Sequence, residues 1–554
     1  MGVPVLSSRL RAAALALVAS AMLLAAVPGS SGAQAERSPR ARHPYTIPHV
    51  LRYATGDDIV GLNPHLAQQL SLAFMSAQTM AWLVRFDKRN RPVPELATAV
   101  PSRANGGVSA DGKTITYHLR RDAKWSDGVP FDAQDVRFSV GVVQNPANNE
   151  GTHVGFDLVE KVDVPDPYTA IFRLKRPWSG FYVNFFSSGG ANPCVLPRHL
   201  LDKLPNINDA PYNALPVGIG PFKYASWKRA DSVELVRDPL YFGRKPKLER
   251  IVFKIIPDRN TVLTQLTTHE IDLWAPVPAG YYDRVRAVPG IKILRQPSYG
   301  YNHIDFNVSH AALRDPAVRR ALRLAIDRRT ILEKVRHGVG ILQDVLLPPG
   351  HPMHVDAPIA AYDPAAANRM LDAAGWKRGP DGIRAKNGLR LEFSFATVSG
   401  TPDTDQLIEL VRADWLATGV SLDVRHYPSP LIFAPAATGG ILYSGKYDAA
   451  TYAWILSPNG DLTNLFGCDR VPPKGQNVPR YCDREVDRAN VRFTSTYDER
   501  EQLAASRFVQ GRIARDVPTI VLDAREDVYA FNDDLHGFAP NQATAFDDLV
   551  DADI

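Results

Sequence analysis

Asp111-Gly112-Lys113-Thr114-Ile115-Thr116-Tyr117-His118-Leu119-Arg120 leads, after three residues, into Lys124-Trp125-Ser126-Asp127-Gly128-Val129-Pro130 and then Ala133-Gln134-Asp135-Val136. Asp-Gly is a strong turn dipeptide, because glycine accepts positive φ without steric cost. Between the two Asp-Gly steps, Ile115, Tyr117 and Leu119 alternate with polar neighbours, which places them on one face of a strand. Asp132 stands where its carboxylate caps a helix starting at Ala133. The stretch therefore reads turn, strand, turn, helix.

Working outward, strand-like runs fall at 50–54, 169–174, 232–236 and 251–256. Residues 261–269 form a short helix by the spacing of Val262, Leu263 and Leu266. Asp315-Pro316 is an N-cap followed by proline at the first helical position. Val318, Ala321, Leu322, Ala325 and Ile326 then share one face, and Gly338 is expected to close that helix. The pattern recurs at Asp363-Pro364, with Met370, Leu371 and Ala374 before Gly375. A third helix carries Leu407, Ile408, Val411 and Trp415 and stops at Gly419, after which 420–424 alternates as a strand. Strands interspersed with helices predict an α/β protein with mixed sheets.

The chain has 554 residues, enough for more than one core, with 45% hydrophobic and 22% charged residues. Arg9 and Arg11 precede an apolar run from Ala12 to Val27, and Ala33-Gln34-Ala35 supplies small residues beyond it. This is the pattern of a secretory signal peptide over 1–35, cleaved after Ala35. The apolar run is shorter than a spanning helix of ~20 residues. The segment holds no cysteine, so a lipoprotein anchor is not expected and the product is read as soluble and periplasmic. Removing the two arginines of residues 1–35, which hold no acid, takes the formal charge from +5 to +3. With no dense basic run, nucleic acid is not an indicated partner. Of three cysteines, Cys468 and Cys482 enclose a Pro-, Gly- and Asn-containing loop. An oxidising compartment favours a bridge between them over two free thiols. Cys194 is left as a buried small hydrophobe.

These segments together resemble the family 5 solute-binding proteins of ABC importers, the oligopeptide, dipeptide and nickel-chelate binders. Besides the opening stretch, the resemblance is carried by Gly218-Ile219-Gly220-Pro221-Phe222, Arg237-Asp238-Pro239-Leu240-Tyr241-Phe242, Glu270-Ile271-Asp272, Tyr362-Asp363-Pro364 and Ala373-Ala374-Gly375-Trp376. It implies a two-lobed periplasmic-binding-protein-like fold (type II, cluster C) with mixed sheets and an additional small domain. Residues 46–85, 216–303 and 518–554 would build one lobe, 86–215 the inserted small domain, and 304–517 the second lobe. Ligand would be enclosed between the lobes and passed to permease subunits in the inner membrane, the binding protein acting as a monomer.

The same resemblance implies a ligand segment at Tyr452-Ala453-Trp454-Ile455-Leu456-Ser457-Pro458-Asn459-Gly460-Asp461. Trp454 matches a tryptophan of the pocket wall, with Tyr452 and Asn459 nearby. Ser457 stands where many peptide binders place the aspartate that pairs with the ligand's α-ammonium. Asp461 is the next carboxylate, either the substitute clamp or a loop-capping residue. No arginine lies near Val398, where dipeptide-selective members hold the ligand carboxylate, so a longer peptide held through its backbone is implied. Asp57, in the Thr55–Asp58 loop, is a further candidate for a cationic ligand group. The alternative ligand is a metal chelate of the nickel type or another non-peptide solute. The segments Leu465-Phe466-Gly467-Cys468 and Arg480-Tyr481-Cys482-Asp483 also match the family, in agreement with the bridge.

No G-x-S-x-G elbow, H-E-x-x-H, Walker loop or G-x-G-x-x-G is present. Neither catalysis nor a cofactor is therefore expected. His351 and His354 form a close pair in a Pro-containing loop but lack the further ligands of a closed metal site.

Overall fold

In the computed structural model, the stretch from Asp111 to Val136 behaves as its chemistry dictates. The structure describes residues 42–554 apart from 57–58, 68, 189–192, 401 and 544–548, so the expected signal segment and Asp57 lie outside the described residues. Thr114–His118 is a strand, and Ile115, Tyr117 and Leu119 are buried. Asp132 caps the helix Ala133–Gln144, and Asp135 reaches back to the Asp132 N–H to complete a capping box. The strand pairs antiparallel with Thr169–Leu174, which also pairs with Val159–Asp166. That three-stranded sheet and its helix enclose a core of Ile115, Tyr117, Trp125, Phe131, Phe172 and Phe185. Each such side chain contributes about 1.5–3 kcal/mol of burial.

The largest element is a ten-stranded mixed sheet. In spatial order its strands are Ser421–Tyr427, Glu392–Val398, Ala449–Ile455, Ile291–Phe306, Thr519–Asn532, Leu273–Trp274, Val50–Thr55, Arg250–Ile255, Ser232–Arg237 and Phe222–Lys228. Two of them, Ile291–Phe306 with 16 residues and Thr519–Asn532 with 14, are much longer than the rest. They run antiparallel through the middle of the sheet, from Ile291 opposite Asn532 to Asp305 opposite Thr519. Their pairing is interrupted between Pro297 and Tyr301, where the register shifts.

Separate cores flank this irregularity. One gathers Leu51, Phe222, Leu235, Phe253 and Phe531. Another gathers Phe306, Leu322, Phe395, Trp415 and Leu522 under the helix Pro402–Ala417. Helix starts follow the sequence reading closely. Asp315 accepts from the Ala317 N–H at 2.8 Å, and Asp363 accepts from the Ala366 N–H at 2.7 Å. The expected run to Gly338 is not one helix. Pro316–Leu324 ends early because Asp327 accepts from the Thr330 N–H at 3.0 Å and starts a new turn. Cys194 is buried and unbridged.

Candidate functional site

The strand Ala449–Ile455 places Tyr452 and Trp454 on one face, two residues apart, because side chains alternate with period two. Its antiparallel neighbour sets Tyr301 opposite Trp454 and His303 opposite Tyr452. The same period puts Tyr301, His303 and Asp305 in one row. The His303 ring stacks on Tyr301, with centroids 4.5 Å apart, and meets Tyr452 edge-on at 4.4 Å. Tyr452 in turn meets Trp454 edge-on at 5.9 Å. The Tyr452 hydroxyl donates to Asp305, and His303 Nε2 lies 3.5 Å from the same carboxylate oxygen. Burial, followed by the Asp305 charge, pushes the Tyr452 hydroxyl well above its ordinary pKa, so it remains a donor. With Leu465, Phe466, Gln476 and Pro479, these side chains line a half-open recess of about 10 Å³.

The loop beyond Trp454 is held largely by its own polar groups. Asn459 is buried, and its Oδ1 accepts from the Asp461 N–H at 3.0 Å. The Ser457 carbonyl accepts from the Gly460 N–H at 2.8 Å and from His351 Nε2 at 3.2 Å. The Met353 N–H donates to His351 Nδ1 at 3.0 Å, so the ring carries its proton on Nε2. Burial holds that imidazole down to about 4, hence neutral. His354 Nδ1 lies 2.7 Å from the Leu347 carbonyl, so both histidines of the pair engage backbone carbonyls. Asp461 Oδ1 accepts from the Thr463 N–H at 2.9 Å and from the Thr463 hydroxyl, at the start of the short helix Thr463–Phe466. Burial pushes this carboxyl up, against the opposing pull of Thr463, Arg470 and Arg176. Cys468 and Cys482 are bonded, with Cα atoms 4.5 Å apart, and close the chain just after that helix.

Tyr301, His303 and Asp305 were not singled out by the sequence reading. Their signal is the alternation Tyr299, Tyr301, His303, Asp305, legible as a strand face but silent about which strand it faces. A larger open groove of about 600 Å³ lies elsewhere, lined by residues such as Asn307, Arg425 and Asp448. Its polar groups are largely satisfied: Asp448 accepts from Ser394, Arg425 pairs with Asp423, and Asn307 donates to the Tyr447 carbonyl.

The segments around Gly112 and Ser179 also touch the segment from Thr494 to Gln502 directly. The Ser179 N–H donates to the Thr494 carbonyl at 2.8 Å, and Gln502 Nε2 donates to Ser179 Oγ at 3.0 Å. The Tyr497 hydroxyl donates to the Gly112 carbonyl at 2.8 Å. Gly112 has φ +69°, and a Cβ there would come within 2.7 Å of the Tyr497 ring, so both conformation and approach require glycine.

The ten-stranded mixed sheet thus carries an aromatic recess on one of its two long strands, Ile291–Phe306, and on the neighbouring strand Ala449–Ile455. Residues 91–471 match the bacterial extracellular solute-binding proteins, family 5, and the chain belongs to that family. It is 25% identical over 465 residues to the oligopeptide-binding protein AppA of Bacillus subtilis, covering 83% of each chain. It is 27% identical over 447 residues to the glutathione-binding protein GsiB of Salmonella typhimurium, covering 80% of this chain and 84% of that protein. Among solved structures, NikZ from Campylobacter jejuni in complex with Ni(L-His) superposes with a TM-score of 0.77 at 25% identity, covering 92% of this chain and 100% of that one.

Proposed function

We propose that this protein is exported, captures peptides between two lobes and delivers them to the permease of an ABC importer, without chemistry of its own. The observation that carries the reading is the position of Tyr452 and Trp454, hydrogen-bonded through Ala449–Ile455 to one of the two long strands that join the halves of the sheet. The name of the AppA relative supports peptides as the ligand class. Residues 46–85, 216–303 and 518–554 form one lobe, 86–215 the inserted domain and 304–517 the other lobe. The register shift at Pro297–Tyr301 is the bending point between them. Trp454 and Tyr452 pack against ligand side chains while backbone groups of the loop from Ser457 to Asp461 hold its main chain. In closing, Ser179 meets Thr494 and Gln502, and Tyr497 meets Gly112.

A metal chelate is the second reading, favoured by the similarity to NikZ with Ni(L-His) and by an imidazole in the recess. Titrating the fluorescence of the mature protein with defined peptides, and separately with nickel–histidine, distinguishes the two. Saturable quenching by peptides alone supports the first. A response to nickel–histidine alone overturns it.

A further inference from the structure

The recess beside Trp454 has a chemistry of its own. Its floor is His303 and Asp305, only 1% and 4% exposed, and its walls include the rings of Tyr301, Tyr452, Trp454 and Phe466. Among the described residues that line it there is no lysine or arginine, so the carboxylate is the only fixed charge. His303 Nδ1 is buried without a hydrogen-bond partner among the described residues. A volume of about 10 Å³ accepts one water-sized group. A primary ammonium is of that size, whereas a guanidinium or carboxylate is larger. Aromatic faces around a carboxylate attract a cation and repel an anion.

We infer that Asp305, framed by His303 and Tyr452, is the ammonium-binding residue of this site and takes the part of the acidic clamp missing at Ser457. The inference rests on the peptide reading and adds the ligand group that is recognised. The ammonium comes either from the peptide's N-terminus or from a lysine side chain. Asp305 supplies charge, the Tyr452 hydroxyl keeps the carboxylate oriented, and the His303 ring, with Nε2 3.5 Å from that carboxylate, packs beside it.

The test is calorimetric titration of the wild type and of Asp305→Asn with penta-alanine, N-acetyl-penta-alanine, and an N-acetylated pentapeptide carrying a central lysine. At least a tenfold preference of the wild type for a peptide with a free primary amine, reduced severalfold or more in the variant, is expected. Penta-alanine alone binding tightly assigns the N-terminal ammonium, and the capped lysine peptide alone assigns the side chain. Equal wild-type affinity for all three peptides overturns the inference while leaving the peptide reading intact, and that comparison does not depend on the variant folding. An unchanged preference in Asp305→Asn also overturns it. No binding of any peptide overturns the peptide reading and the inference with it.

Discussion

Tyr301 stands directly opposite Trp454 in one antiparallel ladder and opposite Ala524 in the next. The aromatic wall of the candidate site is therefore built on the long strand Ile291–Phe306 and its neighbour Ala449–Ile455, and only backbone pairing ties it to Thr519–Asn532.

Trp454→Ala is expected to weaken ligand binding about tenfold or more, the equivalent of ~1.4 kcal/mol per decade. Because Trp454 is only half-buried, its removal should lower the melting temperature little. Calorimetric titration beside differential scanning calorimetry checks both halves of the statement. Equal affinity in the two proteins removes Trp454 from the site.

Tyr497→Phe deletes the hydroxyl that donates to Gly112, and Gln502→Ala deletes the donor to Ser179. If these contacts form on closure, each loss of about 1 kcal/mol should raise the ligand dissociation rate about fivefold, equally for all peptides. Stopped-flow displacement measures this directly. A change that differs from peptide to peptide would place these residues in ligand recognition instead.

His65 and Glu150 form a buried ion pair at 2.7 Å, and His65 Nε2 lies 2.8 Å from the Cys194 carbonyl. Burial alone would lower the imidazole pKa, but Glu150 and the hydrogen bonds outweigh it and raise the value to about 10. The pair's contribution is therefore complete below the unfolded value of about 6.5 and is lost as pH rises towards 10. Glu150→Gln should cost about 3–5 kcal/mol at neutral pH and flatten the alkaline loss of stability. Urea unfolding between about pH 6 and about pH 10 reads both. A variant as stable as the wild type refutes the assignment.

Replacing Cys468 and Cys482 together by serine should lower stability by about 3 kcal/mol, the chain-entropy value for a loop of roughly this size. Thermal unfolding of the variant, compared with oxidised and reduced wild type, measures it. An unchanged melting temperature on reduction would show that the bridge does not constrain the unfolded chain.

Local chemistry made much of the fold legible. Asp132, Asp315 and Asp363 each cap the helix that their sequence context predicts, since a capping carboxylate needs only the next few backbone N–H groups. The strands around Thr114–His118 and Thr169–Leu174 were equally readable from alternation. The long strands Ile291–Phe306 and Thr519–Asn532 were not, because Pro297 and Gly300 punctuate one and charged residues interrupt the apolar pattern of the other. Tertiary pairing overrides those local signals.

By itself the sequence determined the family, the α/β class, the helix caps and the segment bearing Tyr452 and Trp454, because each depends on residues close together in the chain. Only the tertiary structure decided what faces that segment. Asp305 lies nearly 150 positions before Tyr452 and reaches its hydroxyl through a strand register set by the whole sheet. Asp461, the carboxylate nearest in sequence, spends one oxygen on Thr463. Which acid serves a binding site is a question of register and burial, and neither quantity is local in sequence.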